Sequence, residues 1–222
     1  MGLSLAALGQ VGKPSADAGS VPTGSSASAA PTTERLTAVY LGDSYTAGAG
    51  STKPSEMFAT VVSAREQWTT VNLGRGGTGY GATAGKEACG LDYCPTYREM
   101  IPEAVAADPD VVIVSGGRND RDVDAALLEQ VEATYADLRS ALPDARIVAT
   151  SPLWDDDPTV PADFDRLGDT IRAAAERAGG VYLDIGQPLL GHPELLSPDG
   201  VHPNDAGHRA IGESIDAALP AQ

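Results

Sequence analysis

Positive charge is scarce in this chain. Fifteen Lys and Arg stand against 31 Asp and Glu, a formal net charge of -16. Nucleic acids and anionic membranes are bound by clustered Lys and Arg, so this composition argues against both as partners. Long apolar runs are missing too. None approaches the roughly 18 to 20 residues that a membrane-spanning helix needs. Cysteine is limited to Cys89 and Cys94, in "ACGLDYCP". Zinc would need further Cys or His ligands that are not nearby. The pair points instead to a disulfide across a short loop, worth roughly 2 kcal/mol at most on the chain-entropy estimate. Such a bond implies an oxidising compartment.

What is present describes one domain of ordinary size: 222 residues, 42% of them hydrophobic, with room for a full core. Residues 1–33 are dominated by Ala, Ser, Gly, Pro and Thr and predict a flexible leader or linker. "MGLSLAALG" has a short apolar run but no basic start, so at best it is a weak or truncated signal peptide. Residues 34–222 form the expected domain, and a linker of this kind suits a secreted or cell-surface protein. From Leu36 onward, strand-length apolar runs alternate with segments of helical period, the pattern of a parallel α/β sheet. Strands are expected near 36–41, 69–73, 110–115, 145–150 and 180–184. Helices are expected near 55–66, with Ser55 as N-cap, and near 96–107, 124–141, 162–178 and 207–218.

Ligands of open parallel sheets bind outside the carboxyl ends of the strands. At those ends lie "GDSYTAGAG", "GRGGTGYG", "GGRND" and "SPLWDDD", and before the final helix comes "SPDGVHPNDAGH". Turn preference explains the glycines. It does not explain a serine, an asparagine, an aspartate and a histidine together, which is the inventory for acyl transfer. A serine hydroxyl needs a base to take its proton, a group that orients the base, and donors for the oxyanion. Ser44 is the candidate nucleophile, His202 the base, and Asp199, three residues earlier, its orienting carboxylate. The Ser44 N–H, an N–H of the Gly76–Gly77 turn and the Asn119 amide are the candidate oxyanion donors.

In these blocks the chain resembles the SGNH hydrolase superfamily, the GDSL-type lipases and esterases. Gly42, Asp43 and Ser44 supply "GDS", "NLGRGGTG" the second-block glycine, "GRND" Asn119, and "DGVH" Asp199 and His202. The resemblance covers about 36–219. It implies a three-layer α/β/α flavodoxin-like fold with a five-stranded parallel sheet, and Ser/His/Asp chemistry with no metal or organic cofactor. Tyr45 stands where many members carry Leu. The second-block glycine is Gly76, Gly77 or Gly79, and Gly77, five residues after Asn72, is the choice.

Rival readings of the same stretches are weaker. "GRGGTG" matches a dinucleotide fingerprint, but no strand with a terminal acidic residue follows at the required distance. "GATAGKE" lacks the Ser or Thr that a P-loop needs after Lys86. His192 reads as a surface loop residue and His208 as a capping or packing residue. Ser115, at a strand end, is a poor second candidate for the nucleophile. The acids at 155–157 read as solvated, and Asp43 as a turn-holding acceptor of backbone N–H groups.

The expectation is a serine esterase acting on a short acyl ester of a carbohydrate or similar alcohol. With 5% aromatic residues and no long apolar lid, a long-chain lipase fits less well. Tyr45, Tyr80, Arg118 and Trp154 fall at the same rim and are expected to line the substrate pocket. Two other classes share these residues: an acyltransferase that passes the acyl group to a sugar hydroxyl, and a non-catalytic carbohydrate-binding domain.

Overall fold

The computed structural model describes residues 35–220. The expected leader, residues 1–33, lies outside them. Five strands, β1 (Thr37–Gly42), β2 (Thr69–Asn72), β3 (Val111–Ser115), β4 (Arg146–Thr150) and β5 (Val181–Leu183), form an all-parallel sheet in the order β2-β1-β3-β4-β5. The central strands are apolar along their length because both faces are covered. Val39, Leu41, Val112, Val114, Ile147 and Ala149 point to one face. Ala38, Tyr40, Val111, Ile113 and Val148 point to the other. On the first face pack α4 (Ile101–Ala106), α5 (Ala125–Ala141) and α6 (Phe164–Arg177); on the second pack α2 (Phe58–Glu66) and α7 (Asp205–Ala218). The result is the expected three-layer α/β/α sandwich. Two single-turn helices, α1 (Ser44–Ala47) and α3 (Lys86–Cys89), lie outside these layers.

Element ends depart from the sequence reading for local reasons. Ser55 does not cap α2. It lies inside a 3-10 turn, Pro54–Glu56, and the chain extends at Met57 before α2 begins at Phe58, because Pro54 presets a turn of its own. The helix expected over 96–107 shortens to α4. Before it, Glu99 accepts bonds from the Thr96 N–H and hydroxyl, which closes a separate turn. The last helix begins earlier than expected, since the Asn204 side chain accepts the Ala206 and Gly207 N–H groups and caps it. The disulfide between Cys89 and Cys94 is present.

Two buried carboxylates hold loops at the carboxyl edge. Asp120, 5% exposed, accepts the Tyr80, Gly81 and Ala82 N–H groups at 2.8 to 2.9 Å. Asp43, 2% exposed, accepts the Tyr45 N–H at 2.9 Å and caps α1. Burial pushes the Asp43 carboxyl up to about 6; the Tyr45 bond and the Arg118 charge oppose the rise, and Asp120 adds to it.

That shift fixes the sign of a pH effect. The folded chain keeps the Asp43 proton to about pH 6, whereas the unfolded chain releases it near pH 4. Asp43 therefore favours the folded state below about pH 4, and this advantage is lost as pH rises through 6. Asp43→Asn keeps the acceptor oxygen and removes the titration. Wild-type stability should fall relative to this variant by about 2 kcal/mol between pH 4 and 7. Chemical denaturation of both proteins across that range checks it, and parallel curves would refute it.

Candidate active site

Ser44 is the first residue of α1, placed directly beyond the carboxyl end of β1. As the first residue of a helical turn, its N–H has no intrahelical acceptor. On the facing loop, His202 Nε2 lies 3.1 Å from Ser44 Oγ, and His202 Nδ1 lies 2.7 Å from Asp199 Oδ2. The loop that carries this pair is held from within. Asp199 Oδ1 accepts the Ser197 hydroxyl and the Val201 and His202 N–H groups. Desolvation would raise the Asp199 carboxyl, but the bonds from the His202 N–H, the His202 ring, Val201 and Ser197 outweigh it and hold the group well below the usual carboxylate range. An ionised carboxylate only accepts, so Nδ1 carries the imidazole proton and Nε2 offers its lone pair to the serine hydroxyl.

Tyr45 ties this loop to α1. Its hydroxyl donates to Val201 O at 2.5 Å and its ring meets the His202 ring edge-on at 6.0 Å. Behind it, the buried Arg118 guanidinium lies between the Tyr45 and Trp154 rings, 5.5 and 4.6 Å from their centroids, and pairs with Asp155 at 2.7 Å. Asp155 is thus not one of three solvated acids but a buried counter-ion.

On the other side, the second and third sequence blocks are cross-tied. Asn119 Nδ2 donates to Thr78 O at 2.9 Å, and a primary amide retains a second N–H. The Tyr97 hydroxyl bridges the same Thr78 carbonyl and the Gly117 N–H. Gly77 occupies the third position of the turn from Arg75 to Thr78 with φ +75°, a conformation that favours glycine. The Gly79 N–H is already engaged with Ala82 O, which leaves Gly76 and Gly77 of the three candidates. An open cleft of about 440 Å³ adjoins Ser44 along Gly74, Arg75 and Gly76.

The residues expected to line the pocket are placed otherwise. Tyr80 is 1% exposed, its hydroxyl bonded to Tyr135 at 2.6 Å; where it reaches a surface, it borders a different groove with Tyr93 and Arg98. Trp154 packs edge-on against Phe164. Neither these two nor Arg118 and Tyr45 line the cleft beside Ser44. Aromatic character at a strand end signals a pocket or a core equally, and here packing decided. His192 pairs with Glu194 on the surface. His208 is buried against Phe58 and bonded to Ala49 O. The Ser115 hydroxyl is bonded to Thr150. The sequence reading missed Asp120, Tyr97 and the positioning contacts of Tyr45; the acid directly after Asn119 was the one visible signal.

Comparison with known proteins places the chain in a family. Residues 40–210 match the model of the GDSL-like lipase/acylhydrolase family. The chain is 32% identical over 192 residues to GDSL lipase Rv0518 of Mycobacterium tuberculosis (strain ATCC 25618 / H37Rv), covering 79% of this chain and 78% of that protein. Among solved structures, the fold resembles a carbohydrate esterase family 2 enzyme with a carbohydrate-binding domain from Corynascus thermopiles (Myceliophthora fergusii). That match has TM-score 0.64 and 20% identity over 86% of this chain and 67% of the other. It also resembles a two-domain esterase active on acetylated mannans, at TM-score 0.62 and 21% identity, covering 83% of this chain and 49% of that one. This chain therefore spans about half the length of the two-domain enzyme. By sequence and by fold, the chain belongs to the GDSL-like lipase/acylhydrolase family of SGNH esterases and is a carboxylic ester hydrolase.

Proposed function

We propose that the chain is an exported serine esterase that removes a short acyl group from a carbohydrate or similar alcohol through an acyl-enzyme. The observation that carries this reading is the connected series Asp199–His202–Ser44, with spacings of 2.7 and 3.1 Å. Ser44 Oγ attacks the ester carbonyl while His202 Nε2 takes its proton. Collapse of the tetrahedral intermediate expels the alcohol, which receives that proton from His202. Water then attacks the acyl-enzyme with the same base, releasing the acid and restoring Ser44. Asp199 keeps the imidazole in the working tautomer throughout. The oxyanion is received by the N–H groups of Ser44 and Gly77 and the second N–H of the Asn119 amide.

The carbohydrate half of the reading draws support from two structural neighbours, one active on acetylated mannans and one a family 2 carbohydrate esterase. Export draws support from the disulfide. No helix among the described residues is long and apolar enough to cross a membrane.

A fluorophosphonate should label Ser44 alone, and Ser44→Ala should abolish both labelling and turnover of p-nitrophenyl acetate. An adduct mapped by peptide mass spectrometry to Ser115, or wild-type turnover in the variant, would overturn the assignment.

Asn119→Ala separates an oxyanion donor from a turn-holding residue. The donor bond strengthens as charge develops, so kcat should fall roughly 10²- to 10³-fold while KM changes far less. Loss of a turn contact alone would cost about 1 kcal/mol of stability and leave the turnover of the folded fraction nearly normal. Steady-state kinetics and thermal melting on one preparation distinguish the two.

A further inference from the structure

The cleft beside Ser44 has walls of unequal chemistry. Beyond the glycine loop, the side chains that close it are Ala47, Ala49, Ala88, Cys89 and Leu91, none of which offers a side-chain hydrogen bond to a sugar. Its one charged neighbour, Arg75, donates to Gly74 O and Glu103, and its Nε–H, which has no partner, is buried. A sugar ring would leave its hydroxyl groups unpaired against this surface, whereas a hydrocarbon chain loses nothing there and gains from leaving water.

The far wall is the segment from Lys86 to Tyr93, and its attachment is unusual. Every residue in it is exposed except Cys89, which is half-buried, so it contributes almost nothing to the core. Its four-residue helix α3 has no side-chain cap and is far too short to persist alone. It is fixed by Cys94, fully buried, which exchanges backbone bonds with Ala84 and holds Cys89 through the disulfide, and at its end by the Tyr93 hydroxyl, which donates to Glu99. The fixed segment then sits directly on the glycine loop. A Cβ at Gly76 would lie 2.0 Å from Ala88 O, and one at Gly77 only 3.0 Å from Ala88 Cβ. The backbones therefore touch where the cleft begins. Leu91, 45% exposed, forms the outer lip.

We propose that this cleft is the acyl-binding subsite and that the disulfide-anchored loop, through Ala88, Cys89 and Leu91, is the wall that selects chain length. The proposal rests on the reading that Ser44 forms an acyl-enzyme. Acetyl offers this wall a single methyl group, whereas butyryl and hexanoyl add two and four methylenes, each buried methylene favouring reaction by about fourfold. The disulfide thereby acts on selectivity more than on global stability: its closed loop is short, and the segment it anchors lies outside the core.

The experiment is the ratio of kcat/KM for p-nitrophenyl butyrate and hexanoate to that for acetate, in wild type, Leu91→Ala and the double variant Cys89→Ser/Cys94→Ser. A ratio taken on one preparation cancels differences in active fraction. Wild type should favour butyrate over acetate by roughly tenfold. Leu91→Ala should cut that preference about three- to fivefold, and the double variant should flatten the profile, with its melting temperature only modestly lowered. Leu91→Ala alters an exposed side chain, so it remains informative if the double variant folds poorly. A flat wild-type profile, or a Leu91→Ala profile identical to wild type, overturns the proposal. If Ser44 takes up fluorophosphonate in the same wild-type preparation, only the subsite is lost; if it takes up none, the acyl-enzyme reading falls as well.

Discussion

The contact between Ser44 Oγ and His202 Nε2 joins two residues 158 positions apart, and the rest of the molecule is arranged so that it forms. One partner is fixed by the sheet, since Ser44 follows β1, which lies between β2 and β3. The other sits on a loop with little core of its own, where Asp199 and His202 keep substantial exposure. That loop is shaped by its own hydrogen bonds to Asp199 and moored by Asn204, whose side chain caps α7 and donates to Glu194 O and Leu196 O. Tyr45 completes the mooring from the serine side. Where a leucine would pack only, the tyrosine hydroxyl also donates to the backbone of the histidine loop.

Acidic residues make this architecture, which gives the surplus of negative charge a structural meaning. Asp43, Asp120 and Asp199 each accept backbone N–H groups in loops at the carboxyl edge, and Asp124 caps α5. A carboxylate accepts several bonds at once, so one buried side chain can satisfy a stretch of loop backbone that has no strand to pair with. The cost is desolvation, visible in the raised affinity of Asp43 and Asp120 for protons. Asp199, more exposed and bonded to an imidazole, moves the other way. Carboxylates in one small region are thus set to different protonation behaviour by the balance between burial, which raises Asp43 and Asp120, and the hydrogen bonds that lower Asp199.

The same edge separates positioning from recognition. Arg118, Trp154 and Tyr80 are polar or aromatic residues at strand ends, yet they are spent on holding loops: Arg118 between two rings and against Asp155, Tyr80 against Tyr97 and Tyr135. The surface that borders Ser44 is made instead mostly of glycine and alanine, with Cys89, Leu91 and Arg75, and most of these are residues that sequence inspection passes over because they carry no functional group. Small side chains leave room, and room next to Ser44 is what a substrate of the proposed reaction needs.

The sequence by itself determined the layers and the residue types that meet at the candidate site. Continuous apolar strands alternating with helical periods require a parallel sheet covered on both faces, and the spacing of Asp199 and His202 places a carboxylate beside an imidazole within one loop, because three residues of turn can only reach that far. Cys89 and Cys94 were legible as a pair for the same local reason. Element ends were less so: Pro54 and Asn204 shift them by competing hydrogen bonds that periodicity does not register. Tertiary structure alone decided which side chains face the cleft. Whether Tyr80 and Trp154 border a ligand or a core depends on contacts with Tyr135 and Phe164, 55 and 10 residues further along the chain, and the value of Asp120 depends on a loop 40 residues before it. Those are long-range packing choices, fixed only when the helices close over the sheet, and no local pattern in the chain encodes them.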